Sequence, residues 1–150
     1  MVSRRLPVLA LALVAMLFSA CGSGSQDSAG DFSGEAKQVA STIDDLQDAG
    51  RKRDAEQICS RLLATTLVEK IEANGRRTCE STLDESLKDV DAFDLEIVKN
   101  GVTVTGDTAT AKVKSASGSK DRVDTLSLVR EPERRGGKTT QVWKLSALAG

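Results

Sequence analysis

The sequence predicts an α+β domain in which three helices precede about four antiparallel strands. A change of pattern carries this reading. From Phe32 to Val90 apolar residues return every three or four positions, the spacing of one helix face; after Asp91 they alternate, the spacing of a half-buried strand. Tight-turn residues such as Gly106-Asp107 separate the alternating runs, so successive strands are expected to pair antiparallel.

Ahead of the domain the chain opens with Arg4 and Arg5, runs through an apolar stretch from Leu6 to Phe18, and reaches the small residues Ser19 and Ala20. A basic start, an apolar middle and a small-residue end read as a cleavable export signal over residues 1–20. The apolar stretch is shorter than the roughly 20 residues that cross a hydrocarbon core, which disfavours a permanent span. Leu17-Phe18-Ser19-Ala20-Cys21 resembles the bacterial lipobox, with Phe18 where an aliphatic residue is usual. The resemblance implies that Cys21 takes a diacylglycerol, carrying fatty acids such as palmitate, and becomes the first residue of the mature chain. Its expected place is the extracytoplasmic face of the cell membrane. Residues 22–30 hold only Gly, Ser, Gln, Asp and Ala, so 21–31 reads as a lipidated cysteine and a flexible spacer spanning on average about 15 Å.

The remaining 32–150 are one domain by size. Phe32, Ala36, Val39, Ile43 and Leu46 define helix one, with Glu35 in its first turn and Gly50 just beyond its end. Asp54-Ala55-Glu56-Gln57 has the capping-box arrangement, and Ala55, Ile58, Cys59, Leu62, Leu63, Leu67 and Ile71 continue as the stripe of a single helix two, stopping at Asn74-Gly75. Cys79, Leu83, Leu87 and Val90 make helix three from about Thr78.

Leu95 and Ile97, then Val102 and Val104, form the first strand signals, and Ala109, Ala111 and Val113 follow the Gly106-Asp107 turn. Asn100-Gly101 fits a bulge inside one long strand better than a second turn, which would leave only about four residues before the next turn. Val123 to Arg130 is a further strand ended by Pro132. Thr140 to Leu148 is the last, across a loop at Glu133-Arg134-Arg135-Gly136-Gly137-Lys138.

Taking Arg4 and Arg5 away from the 21 basic residues leaves 19 against 22 acidic ones, a net charge of −3 for the mature chain. Nucleic-acid binding needs a clustered basic surface and is not expected. Of three cysteines the lipobox accounts for one, so Cys59 and Cys79 are expected to form a disulfide between helices two and three in an oxidising compartment. Two cysteines and no histidine argue against structural zinc, and no cofactor is expected. General acid–base work near neutral pH uses histidine most often, and the chain has neither histidine nor tyrosine. Asp107 and Asp124 are conceivable bases, but the first reads as a turn residue and the second as a solvent-facing strand residue. Asp84, Glu85, Asp89, Asp91 and Asp94 form an acidic stretch without the spacing of a calcium loop. Arg51-Lys52-Arg53, Arg76-Arg77 and Arg134-Arg135 fall in expected loops, where a shared face could meet anionic headgroups.

The order of a leading helix, a helix holding Ile58-Cys59, a short helix opening with Cys79, strands around Gly106-Asp107-Thr108-Ala109, Leu126-Ser127-Leu128-Val129-Arg130 and a closing Val142-Trp143-Lys144-Leu145 resembles the NTF2-like (cystatin-like) domains of small actinobacterial lipoproteins. The resemblance spans about Asp31 to Leu148. It implies a curved sheet wrapped around the long helix as a cone, often with an apolar pocket, which Trp143 and Leu145 would line. Family members include isomerases, cyclases and many domains without activity, so the fold alone does not deliver the function. The expected function is a non-catalytic envelope lipoprotein, its membrane partner reached through the lipid and its domain binding a small apolar ligand or an envelope protein. A weak isomerase or cyclase is the alternative. A cystatin-type inhibitor is a third, but Gln141-Val142-Trp143 lacks the valine and glycine of that signature.

Overall fold

The computed structural model describes residues 28–90, 93–117 and 120–149. The export signal, Cys21 and the spacer as far as Asp27 lie outside the described residues. Among the described residues the domain is α+β, with four α-helices followed by a four-stranded antiparallel sheet in the order β1-β2-β3-β4.

Order begins earlier than the composition suggests. Ser28–Asp31 is a 3-10 turn, and Ser28 and Ala29 are buried against α1 (Gly34–Lys52). Val39, Ala40, Ile43 and Leu46 of α1 enter the core. The helix runs past Gly50, which had been expected beyond its end, and stops where Arg53 adopts the left-handed conformation at φ 55°. Gly50 has a packing reason instead. A Cβ there would collide with the Phe93 ring, which lies against the helix backbone.

The expected helix two is two helices. α2 covers Ala55–Gln57, where Asp54 accepts the Gln57 amide at 2.8 Å, and continues as a π-helical turn over Ile58–Leu62. The chain then extends at Leu63, which forms a parallel bridge to Leu145, while the Ala64 amide donates to the Leu145 carbonyl at 2.8 Å. That edge-strand bond replaces a helical one, so the apolar stripe is continuous in sequence but not in structure. α3 (Thr65–Gly75) restarts behind it. The Glu131 carboxylate caps its first turn by accepting from the Thr65 amide at 3.1 Å and its hydroxyl at 3.2 Å. α4 (Cys79–Lys88) starts as expected at Thr78, whose hydroxyl accepts the Ser81 amide.

β1 (Leu95–Thr105) and β2 (Thr108–Ser117) form a hairpin closed at Gly106-Asp107. The register slips between Ile97 and Val102 and Asn100 takes φ 58°, so Asn100-Gly101 is a bulge in one strand. β3 (Lys120–Arg135) runs through Pro132 instead of ending there, and β4 (Lys138–Ala149) starts immediately after Gly136-Gly137. The expected loop is therefore a two-residue turn, with both glycines at positive φ, the geometry that suits the twist of a hairpin. Pro132 is tolerated for a directional reason. The Arg130 amide points across to the Asp107 carbonyl at 2.9 Å, so position 132 points the same way, past the end of β2, where no amide is needed.

The sheet curls around α1. Gln47 is buried and its Oε1 accepts the Leu95 amide of β1 at 2.5 Å, whereas the Thr42 hydroxyl lies 3.4 Å from the Trp143 carbonyl of β4. These contacts are five residues apart, about 7.5 Å along the helix. In a flat sheet the outer strands would be about 14 Å apart, and the Trp143 carbonyl would point away from the helix rather than toward it. The core inside the curl joins Val39 and Ile43 to Val113, Leu126, Leu128, Trp143 and Leu145.

Candidate functional site

One hairpin end and two helices frame a cleft. Thr42 and Asp45 of α1, Gln57, Arg61 and Leu62 of α2 and its π-turn, and Glu133, Arg135, Val142 and Trp143 of β3 and β4 line a space of about 330 Å³. A second cleft of about 300 Å³ adjoins it at Gln57 and Arg61, with Asp54, Glu56 and Ser60. Asp45, Arg61, Glu133 and Arg135 dominate the lining of the first cleft, so this space suits a polar, mixed-charge group. Arg135 Nε pairs with Glu133 at 2.8 Å. Asp45 sits at the rim with its side chain exposed, and its pKa is raised by partial desolvation against the cleft wall and by Asp48, while Arg135 opposes the rise.

Trp143 reaches the cleft but belongs mainly to the core, being 4 % exposed. Its indole nitrogen is buried without a hydrogen-bond partner. Leu145 lines neither cleft and is buried at the bridge to Leu63. Arg130 packs its guanidinium over the Trp143 ring at 4.8 Å from the centroid and pairs with Glu35 at the start of α1 and with Asp107 at 3.7 Å. Arg130 therefore joins two strands, a turn and a helix.

Cys59 and Cys79 lie at disulfide distance, with sulfurs 2.00 Å and α-carbons 6.0 Å apart. Asp107 is an exposed turn residue, and Asp124 accepts from Arg122 at 2.7 Å and from the Ser115 hydroxyl at 3.3 Å; neither lines the two clefts. The basic clusters are not all in loops and several of their charges are neutralised: Arg51 pairs with Asp94, Lys52 with Asp48 and Arg77 with Glu85. Among the described residues no group of three His, Cys, Asp or Glu side chains is placed to hold a metal ion, and no helix is long and apolar enough to cross a membrane.

Several structural residues were not singled out in the sequence. Gln47 had a signal, since it follows Ile43 by four positions and so falls on the apolar stripe of α1. Arg130 had one too, because it continues the inward alternation of Leu126 and Leu128. Asp44 and Glu131 had none. Each reads as a solvent-facing carboxylate until the chain brings distant amides to it. Compared with known protein families, with curated proteins and with solved structures, the chain matches none.

Proposed function

We propose that this protein is an exported lipoprotein, held on the extracytoplasmic face of the cell membrane by a lipid on Cys21, whose domain is a non-catalytic binding module. The observation that carries the reading is the cysteine arithmetic. Cys59 and Cys79 are at bonding distance inside the fold, which suits an oxidising compartment and leaves Cys21, behind an export-type leader, as the remaining thiol. An NTF2-like architecture is supported by the curl of a four-stranded meander around one long helix. The charged cleft favours a protein segment bearing both charge signs over a small apolar ligand.

Mass spectrometry of the protein extracted from its own membranes tests the anchor. The expected result is an acylated N-terminal Cys21, and a mature chain that begins elsewhere without lipid removes the proposal. Cys21→Ser should release the domain in unprocessed or soluble form.

A further inference from the structure

We propose that the Asp44 carboxylate sets the reach of the lipid tether and so holds the Asp44 side of α1 close to the membrane surface. The inference rests on lipidation at Cys21. Its structural basis is a clip: the Ser28 amide donates to one Asp44 oxygen at 3.2 Å and the Ala29 amide to the other at 2.9 Å. Both residues are buried, and Ala29 joins the core. A stretch whose composition reads as spacer through residue 31 is thus fixed to the domain from Ser28.

The length of chain left over decides the geometry. Seven peptide links separate Cys21 from Ser28, so whatever their conformation the two α-carbons are never more than about 25 Å apart. Held only from Phe32, eleven links would allow about 40 Å. A domain of this size has a radius of gyration of about 14 Å and is about 35 Å across. The clipped tether is shorter than the domain is wide, so the clipped side cannot turn away from the bilayer; the unclipped one is long enough to let the domain roll over.

Electrostatics does not account for such a placement. The mature chain is net acidic, the same stretch of α1 carries Asp44, Asp45 and Asp48, and Arg51, Arg77 and Arg135 are already in ion pairs. Proximity that comes from the tether is insensitive to salt, unlike adsorption of a basic face. Asp45 and Thr42, which line the cleft, stand about 100° and about 160° around α1 from Asp44, so the cleft opens away from the clipped side.

Trp143 is the only tryptophan of the chain and serves as the donor for energy transfer to a dansyl headgroup lipid in phosphatidylcholine vesicles carrying the full lipidated protein. Transfer is expected to fall at least twofold in Asp44→Ala, to fall partway in Asp44→Asn, which keeps one acceptor oxygen, and to be equal at low and high salt. Inserting Gly-Ser-Gly-Ser after Gly24, with Asp44 intact, should lower it in the same way without touching the fold. Wild-type transfer in a folded, vesicle-bound Asp44→Ala protein, or transfer that collapses at high salt, would overturn the proposal. Amide exchange in the soluble Cys21→Ser chain tests the clip alone: Ser28 and Ala29 should be protected, and rapid exchange there rejects it. Failure of the wild-type protein to float with vesicles while those amides stay protected would reject the lipid anchor, and the tether with it, but not the clip.

Discussion

Arg130 holds its guanidinium 4.8 Å from the centre of the Trp143 ring, and the two residues face each other directly across β3 and β4. The same guanidinium pairs with Glu35, so one side chain ties the end of the sheet to the start of α1. A partly desolvated cation over an indole contributes about 0.5–2 kcal/mol. Arg130→Ala should therefore lower stability by about 1–2 kcal/mol in urea unfolding, with a shift in Trp143 fluorescence. Arg130→Lys should recover less than half, since a point charge neither stacks nor forks.

Gly50→Ala sets helix preference against packing. Alanine is favoured over glycine by about 1 kcal/mol inside a helix. At Gly50 the added methyl would meet the Phe93 ring, and overpacking of this kind costs about 1–3 kcal/mol. The expected net change is a loss of stability. In a Phe93→Ala background the same substitution should become neutral or stabilising, and a double-mutant cycle without that coupling would reject the packing explanation.

The two glycine-containing bends show how much of the fold was legible beforehand. Gly106-Asp107 and Asn100-Gly101 were readable as turn and bulge because their conformations need residues that accept positive φ, a local requirement written in the residue type. The break at Leu63-Ala64 was not readable. Helix two has an unbroken apolar stripe, and what interrupts it is the Leu145 carbonyl, about eighty positions away in sequence. Pro132 misled for a related reason: whether a proline ends a strand depends on whether a partner lies on its amide side, which is a property of β2 and not of β3. The cleft was the least legible part. It is built from helix and hairpin residues that share a location only because the sheet curls, and its charges carry no pattern along the chain.

Cys59 and Cys79 link the π-helical turn after α2 to the first residue of α4, across a sequence separation of 20. Closing a loop of that size restricts the unfolded chain by about 3 kcal/mol in the chain-entropy model. Replacing both cysteines by serine or alanine, or reducing the protein, should cost about 2–5 kcal/mol and lower the melting temperature. Two freely reactive thiols in the folded, exported protein would contradict the pairing.

Asp45 gives a pH dependence whose sign differs from that of a salt-bridged carboxylate. Its pKa in the folded domain is raised above 3.8 by partial desolvation and by Asp48, against the pull of Arg135. Between the unfolded and folded pKa values the native state then binds more proton than the unfolded chain does. Stability contributed by this group therefore falls as pH rises through that window, and the deficit persists at neutral pH. Because the side chain is exposed at the rim, solvent screening keeps the effect below about 0.5 kcal/mol. Asp45→Asn removes the titration, so it should be slightly more stable than the wild type at pH 7 and indistinguishable from it below pH 3, where both states of Asp45 are protonated. Urea midpoints measured across that range decide it. A variant less stable than the wild type at neutral pH would mean that the ionised Asp45 is held by a favourable contact with Arg135 that outweighs burial and Asp48 together.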